Sequence, residues 1–224
     1  DTFVIERNPY YFAVDAEGNQ LPYIDHVKFK FFADKETLNL AAVGGQIDMQ
    51  GRHLAMSNFP VLMENSDKGG YRVITYPTFG GSDAVIVFNQ TYTNDEAIGD
   101  ILRNKDFRIA LSHSIDRDAI KELAFLGIGE ARQGVPAPFH PFYPGDEYAF
   151  KYTQLDTTIS NDLLDGIGLT ARDGDGYRLL PNGDRLDIEI SVVPAFASWA
   201  DIGQLVVEDW AEVGVRAHIE LRER

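Results

Sequence analysis

The sequence contains no cysteine among its 224 residues. Thiol nucleophiles, disulfide bridges and zinc sites with cysteine ligands are therefore excluded. A chain without cysteine is compatible with reducing and oxidising compartments alike, so this absence does not predict a location.

Positive charge is also scarce. The chain has 20 Lys and Arg against 35 Asp and Glu, which gives a net charge of −15 at pH 7. A surface of this sign repels phosphate backbones and anionic lipids. We therefore expect no nucleic-acid partner and no docking on an anionic membrane surface, and the acidity favours solubility.

Long hydrophobic runs are missing, since no apolar stretch approaches the ~20 residues of a membrane span. The chain also shows no signal-peptide pattern. It begins without an initiator Met in the alternating stretch 1–6 and ends shortly after another predicted strand, 215–221. We therefore expect the sequence to be a piece of a longer protein.

Motifs for catalysis are weak. Ser112, His113 and Asp116 lie close in sequence, but they span a helix end and the next helix cap, and no Gly-x-Ser-x-Gly elbow is present. The five histidines are scattered singly, which does not predict a metal site. A hydrolase that uses two carboxylates stays open, because such a site needs carboxyl groups about 5–9.5 Å apart and spacing in sequence does not measure this.

The glycine-rich and acidic stretches do not predict a cofactor. The Gly-Gly pairs at 44–45, 69–70 and 80–81 never belong to a phosphate loop or a dinucleotide fingerprint. The run 172–178 carries Asp173 and Asp175, but it lacks the further oxygen ligands of a calcium loop, so it predicts a turn entering a hairpin. No cofactor and no metal are expected.

Strand and helix patterns alternate along the chain. The composition, 44% hydrophobic against 25% charged, is that of a globular domain. The fold class is α/β or α+β, in one unit over residues 1–224. Strands are predicted at 2–6, 26–32, 71–76, 84–88 and from 215, with a hairpin whose type I′ turn is Asn182-Gly183. Helices are predicted at 35–43, 57–64, 106–113, after the cap Asp116, at 157–164 and at 199–213.

Two stretches of the chain carry short motifs in series. The first carries an Arg-Asn-Pro-x-Tyr motif, a Pro-Tyr-x-Asp motif and a Gly-x-x-Asp step, at Arg7, Asn8, Pro9, Tyr11, Pro22, Tyr23, Asp25, Gly45 and Asp48. The second carries a Phe-Asn strand end and an Arg-x-Ala-x-x-x-x-Ile-Asp-Arg motif, at Phe88, Asn89, Arg108, Ala110, Ile115, Asp116 and Arg117. Together these stretches resemble the family 5 extracellular solute-binding proteins of peptide-type ABC importers, and the later elements follow in the order of that family.

The resemblance implies a periplasmic-binding-protein-like fold of type II, of which this chain would be the large C-terminal lobe. It implies a monomeric, non-catalytic protein that captures an oligopeptide or dipeptide outside the membrane and delivers it to the permease subunits. The implied location is periplasmic or extracellular, with a lipid anchor possible in the full-length protein. Closure of two lobes on the ligand would be the working step.

The resemblance also implies ligand contacts in the loop 193–199, where we predict Trp199, Phe196 and Ser198 as ligand-binding residues, with Asn89 at the end of the Phe-Asn strand. Asn89 is equally suited to satisfying local backbone groups. The loop has no basic residue to hold a peptide carboxylate, and its aromatic side chains suit stacking on a sugar face. The stretch 44–53 resembles a branch that binds β-linked oligosaccharides, which is the alternative ligand.

Overall fold

The computed structural model describes residues 2–76, 81–194 and 198–223. Its strands in these ranges are β1 Thr2–Glu6, β2 His26–Lys30, β3 Asp187–Val192 and β4 Arg216–Leu221. The helices are α1 Lys35–Val43, α2 Phe59–Glu64, α3 Ser66–Gly69, α4 Glu96–Arg103, α5 Lys105–His113, α6 Arg117–Phe125, α7 Asp146–Ala149, α8 Thr157–Gly166 and α9 Trp199–Glu212, with a 3-10 turn at Met56–Asn58.

The described residues form two compact units. We call residues 2–54 and 60–73 the N-terminal unit. We call residues 55–59 and 74–223 the main unit. The sequence predicted one unit over 1–224, and that assignment to a single lobe stays a prediction.

The N-terminal unit is built from a hairpin, α1, α3 and all of α2 except its first residue, Phe59. Strands β1 and β2 pair antiparallel, from Thr2 opposite Lys30 to Glu6 opposite His26. Helix α1 begins after Asp34, whose carboxylate accepts the Thr37 N–H at 2.7 Å and so satisfies a free helix-end donor. Only glycine fits at Gly45, where φ is +67° and a Cβ atom would lie 2.2 Å from a backbone oxygen of α3.

The main unit is organised by a parallel strand pair. Strands β3 and β4 run side by side from Asp187 opposite Arg216 to Val192 opposite Leu221. Parallel neighbours need a crossover connection, and α9 provides it. The unit β3–α9–β4 therefore brings the ends of β3 and β4 to the same edge, which is where the candidate site lies.

A single apolar cluster holds the main unit together. It joins α4, α5, α8, α9 and both strands, and its members are Ile101, Leu102, Phe107, Ala110, Leu111, Leu164, Leu169, Leu180, Leu186, Ile188, Val206, Trp210, Val213 and Val215. Polar groups inside it are paired: the Trp210 indole N–H donates to the Leu111 carbonyl at 3.2 Å, and the Ser160 hydroxyl donates to the Ala110 carbonyl at 2.8 Å. Pairing of this kind removes the cost of burying them.

Arg178 is a buried cation that ties three segments of the main unit. Its side chain is 1% exposed. The guanidinium donates to Asp165 and Asn161 of α8, to the Leu169 carbonyl and to the Val213 carbonyl at the end of α9. Because several donors find acceptors, the buried charge is compensated.

The structure corrects several sequence predictions. Residues 71–76 and 84–88 are not strands, because no described residue forms a β-ladder with them. Strand β2 ends at Lys30, two residues before its predicted end. Helix α4 was not predicted, although Asp95 caps it by accepting the Ile98 N–H at 3.0 Å.

The predicted type I′ hairpin turn is also wrong. The Gly183 N–H donates to the Leu180 carbonyl at 2.8 Å, and only Gly183 has a positive φ, of +88°. The turn therefore begins at Leu180, because Pro181 fixes the φ that position i+1 of an ordinary turn requires. One antiparallel bridge, Leu179 to Arg185, follows it, and the next strand pairs with β4 instead.

Candidate functional site

The candidate site lies where β3 ends and α9 begins. In open α/β sheets, ligands bind beyond the carboxyl ends of parallel strands. Here β3 ends at Val192 and α9 begins at Trp199, so the loop 193–198 leaves that end of the pair. The predicted residues Ser198 and Trp199 therefore stand at the expected edge.

Trp199 is bound to a distant loop of the main unit. Its indole N–H donates to the backbone carbonyl of Asp83 at 2.7 Å, across 116 positions of sequence. Its side chain is partly buried. The hydrogen bond commits the polar edge of the indole and constrains the ring orientation.

A third loop, residues 133–136, packs against residues 81–85, the loop that contains Asp83, the hydrogen-bond partner of Trp199. A Cβ atom on Gly81, where φ is +77°, would lie 2.3 Å from the Val135 carbonyl oxygen. A Cβ atom on Gly134 would lie 3.3 Å from a methyl group of Val85. Residues 81–85, residues 133–136 and the first turn of α9 thus form one group, which we call the loop cluster.

The charges placed on the loop cluster are mainly negative. Asp83 is exposed on one loop, and Asp201 lies in the first turn of α9, where a carboxylate interacts favourably with the helix dipole. Arg132, on the preceding part of the third loop, already donates to the Pro136 carbonyl at 3.0 Å and lies over the Tyr143 ring at 5.6 Å. The geometry suits a neutral or apolar ligand group better than a free carboxylate.

The predicted site residues are brought together only in part. Ser198 is the N-cap of α9, and its side chain makes no capping hydrogen bond. Phe196 lies outside the described residues. Asn89 stands six residues beyond Asp83, and its side-chain oxygen accepts the N–H and the hydroxyl of Thr91 at 3.1 and 2.9 Å. That local turn matches the alternative role that the sequence left open for Asn89.

The Ser112–His113 pair is not arranged as a nucleophile and its base. The Ser112 hydroxyl donates to the Tyr152 carbonyl at 2.7 Å, and His113 Nδ1 lies 2.8 Å from the Gln154 carbonyl oxygen. A triad would need the imidazole on the hydroxyl. Both side chains instead hold the segment 152–154 against the end of α5.

An open groove lies beside this polar network. It is lined by Asp116, Arg117, Asp118, Ala131, Thr153, Gln154 and Leu155. The Arg117 guanidinium is occupied, because it donates to the carbonyls of Ser112 and Thr153 and to the Ser112 hydroxyl. Burial lowers the pKa of Arg117, and the nearby Asp209 opposes that effect.

Asp209 joins α9 to the start of α6. Its carboxylate accepts the Asp116 N–H at 2.9 Å. Burial raises the pKa of Asp209, and the neighbouring carboxylates Asp116, Glu208 and Glu212 raise it further, while the Asp116 N–H lowers it. This carboxylate is consequently held in a setting that resists its ionisation.

The run 172–178 forms the turn that the sequence predicted. Asp173 Oδ1 accepts the N–H groups of Asp175 and Tyr177, each at 3.0 Å. Asp173 Oδ2 lies 2.8 Å from the Arg216 guanidinium. Backbone donors and an arginine therefore take the oxygens that a calcium ion would need.

The described ranges contain neither a metal-binding cluster nor a membrane-spanning helix. Among residues 2–76, 81–194 and 198–223, no group of three or more His, Cys, Asp or Glu is placed to hold a metal ion. Within the same ranges, no helix combines the length and hydrophobicity that a membrane span requires.

Residues 1–224 match the family model of the bacterial extracellular solute-binding proteins, family 5. The chain belongs to this family. The resemblance that the two sequence stretches indicated is therefore confirmed. Family 5 is a family of solute-binding proteins.

Two named relatives are similar to nearly the whole of this chain. The chain is 27% identical over 238 residues to the periplasmic alpha-galactoside-binding protein of Rhizobium meliloti, covering 96% of this chain and 32% of the relative. It is 22% identical to a probable ABC transporter-binding protein of Deinococcus radiodurans, covering 96% of this chain and 36% of the relative. The chain thus spans about a third of the curated relatives it matches.

Solved structures confirm the expected fold class. The oligopeptide-binding protein OppA is 40% identical with a TM-score of 0.68, covering all of this chain and 35% of that one. MelB of Agrobacterium fabrum C58, solved with stachyose, is 23% identical with a TM-score of 0.69 and shares the fold over 34% of its length. The mixed α/β architecture is that of part of a type II periplasmic-binding-protein lobe.

Sequence reasoning missed the partners of Trp199. Nothing in the residue order links Asp83 to α9, because the contact closes across 116 residues. A usable signal was present in the glycine at 81, since a glycine next to a buried loop often marks close backbone approach. The alternating stretch 84–88 hid that signal by suggesting a strand from Ala84 onward.

Proposed function

We propose that the protein is the solute-binding component of an ABC importer and that residues 1–224 supply part of its site for an oligopeptide. The observation that carries this proposal is the 40% identity to the oligopeptide-binding protein OppA over the whole of this chain. The protein works outside the membrane as a monomer, and the permease subunits recognise its ligand-closed state. Its task is binding rather than turnover.

We propose that the indole ring of Trp199, at the start of α9, is a surface on which the ligand packs. Trp199 is oriented by the Asp83 carbonyl at 2.7 Å, so its ring does not need to be ordered when ligand arrives. Preorganisation of this kind lowers the entropic cost of binding. Ser198 and Phe196 flank the ring in sequence and complete the proposed ligand contacts, together with Asn89.

An oligosaccharide is the second candidate ligand. A specific observation favours it, because the Rhizobium relative is named for alpha-galactosides. The loop 193–199 carries no basic residue, which suits a neutral ligand. The relative points to α-linked galactosides, whereas the sequence resemblance had suggested β-linked sugars.

The deciding experiment is a thermal-shift panel on the full-length protein. Peptides of two to nine residues are compared with α-galactosides and with β-linked oligosaccharides. Ligand at a hundredfold its dissociation constant stabilises by about 2.7 kcal/mol, which is a readily measured shift. A shift with peptides alone supports the main proposal, one with sugars alone replaces it by the second, and none with either contradicts both.

The contribution of Trp199 is tested separately by isothermal titration with the ligand that the panel identifies. Trp199→Ala is expected to weaken binding about tenfold, the value of one aromatic contact. Tyr148→Ala, at an aromatic residue of α7 that is 50% exposed, serves as the control. Equal affinities for both variants and the wild type would remove Trp199 from the site while leaving the importer role intact.

A further inference from the structure

Gln133 begins the loop 133–136 and is held by its backbone and by its side chain. Its backbone N–H donates to the Ala149 carbonyl at 2.7 Å. Its side-chain amide donates to the Lys151 carbonyl at 2.7 Å and to the Ser112 hydroxyl at 3.3 Å. A side-chain amide has two N–H donors, so both of them are used. The first residue of the loop is therefore fixed by three hydrogen bonds.

The Ser112 hydroxyl is the point at which this amide reaches α5. The hydroxyl donates to the Tyr152 carbonyl at 2.7 Å and accepts an N–H of the Arg117 guanidinium at 2.8 Å, in addition to the Gln133 amide. A hydroxyl has one proton and two lone pairs, so its capacity is filled. Ser112 follows Leu111 of the core cluster. Gln133 is thus tied to the packed part of the main unit.

Two further hydrogen bonds make the loop 133–136 compact. The Val135 N–H donates to the Gln133 carbonyl at 2.8 Å. The Arg132 guanidinium donates to the Pro136 carbonyl at 3.0 Å. Because these bonds link the start of the loop to its end, a displacement of Gln133 also displaces Val135.

The loop touches residues 81–85 at two close points, one on each side of Asp83. The backbone of Gly81 lies against the Val135 carbonyl, where an added Cβ atom would be only 2.3 Å from the oxygen. Gly134 lies against the side chain of Val85, where an added Cβ atom would be 3.3 Å from a methyl group. Closely packed groups transmit small shifts to one another. The position of the Asp83 carbonyl therefore depends on the loop 133–136.

We propose that Gln133 is a positioning residue for Trp199. It fixes the loop 133–136, the loop sets the place of the Asp83 carbonyl, and that carbonyl accepts the Trp199 indole N–H at 2.7 Å. Side chains of a binding site need such supporting hydrogen bonds to stay in their productive geometry. The consequence for ligand affinity rests on the proposed function, whereas the effect on the indole does not.

The test is solvent exchange of the Trp199 indole N–H, followed by NMR on the ligand-free full-length protein with ¹⁵N-labelled tryptophan. Trp199→Phe identifies the resonance. Gln133→Met keeps a long side chain and removes both amide donors. We expect the Trp199 indole N–H to exchange about tenfold faster in Gln133→Met than in wild type, because the Asp83 carbonyl is held less firmly.

Two controls separate positioning from a general loss of stability. The Trp210 indole N–H donates to the Leu111 carbonyl inside the core cluster, and its exchange should not change. Gln204→Met, at an exposed glutamine of α9 that donates to Glu208, should leave both indoles unchanged. Equal acceleration of both indoles in Gln133→Met overturns the proposal, and so does acceleration of neither.

A double-mutant cycle provides a second measurement. Isothermal titration of the full-length protein uses a pentapeptide as the first probe and stachyose as the second. Gln133→Met is expected to weaken binding about threefold when Trp199 is present and to have no effect in a Trp199→Ala background. Equal weakening in both backgrounds overturns a role through Trp199. If neither probe binds, the proposed function fails, while exchange of the indole N–H still supports or overturns the role of Gln133.

Discussion

The two units differ in how they are held together. In the main unit, fourteen buried apolar residues form one cluster. In the N-terminal unit, every position of β1 and β2 is exposed, and its buried apolar residues are Leu38, Ala41 and Leu62. The difference teaches that stability is concentrated where helices and strands share a core, since apolar burial is the main favourable term in folding.

The largest expected effect tests that contrast by removing an aromatic ring from each unit. Phe107→Ala, at a fully buried position of the main unit, is expected to cost about 3–5 kcal/mol of unfolding free energy. Phe29→Ala, at a position 47% exposed on β2, should cost about 1 kcal/mol or less. Urea unfolding followed by far-UV circular dichroism measures both, and similar losses would contradict the contrast.

The second prediction compares a buried arginine of the main unit with an exposed arginine of the N-terminal unit. Arg178→Met leaves the Leu169 and Val213 carbonyls without their donor and is expected to cost about 3 kcal/mol, as for a broken buried ion pair. Arg7→Met removes an exposed pair with Asp25 at 3.1 Å and should cost at most about 1 kcal/mol. Chemical denaturation with added salt separates them, because only the exposed pair is sensitive to screening.

The third prediction concerns pH in the main unit. The pKa of Asp209 is raised in the folded state, so its protonated form favours folding, and that stability is lost as pH rises from 3.8 through the raised value. Asp209→Asn keeps an acceptor for the Asp116 N–H and removes the charge. At pH 7 the variant should be more stable than wild type by at most about 1 kcal/mol, since the carboxylate is half exposed and screened.

Unfolding curves at several pH values check this prediction. The gap between the variant and wild type should close as pH falls to 3.8 and below. A gap of the same size at pH 3 and pH 7 would show that Asp209 acts through packing and not through its charge.

The smallest expected effect concerns a carboxyl group of the N-terminal unit whose pKa is lowered in the folded state, whereas that of Asp209 is raised. Hydrogen bonds from Tyr23 and Asn19 lower the pKa of Asp15 to about 2. Its contribution is therefore present above pH 3.8 and is lost as pH falls toward about 2. Asp15→Asn should therefore make stability depend less on pH in this window. Acid unfolding followed by circular dichroism measures the effect, and Glu17→Gln is the control.

The helix boundaries were largely predictable because their signals are local. Asp34 and Asp116 cap α1 and α6 as predicted, by accepting N–H groups three residues ahead. The lack of strand pairing at 84–88 among the described residues was not predictable in the same way. Alternation indicates which faces are apolar, but a strand exists only when another backbone pairs with it.

The candidate site shows the same division. The resemblance predicted ligand contacts from Trp199 and Ser198 in the loop after β3, and the structure has both residues between the end of β3 and the first residue of α9. The sequence did not predict the hydrogen bond from the Trp199 indole to the Asp83 carbonyl. Nor did it predict the close packing of Gly81 on Val135. Such contacts depend on how loops distant in sequence come together.

By itself, the sequence determined the charge, the absence of thiol chemistry, the helix caps, and membership of family 5 through motifs that occur in a set order. The tertiary structure alone decided which polar groups are satisfied and which edges stay unpaired. The physical reason is range: caps and turns are closed within about four residues. Burial, strand pairing and the setting of Asp209 depend on segments that fold together from far along the chain.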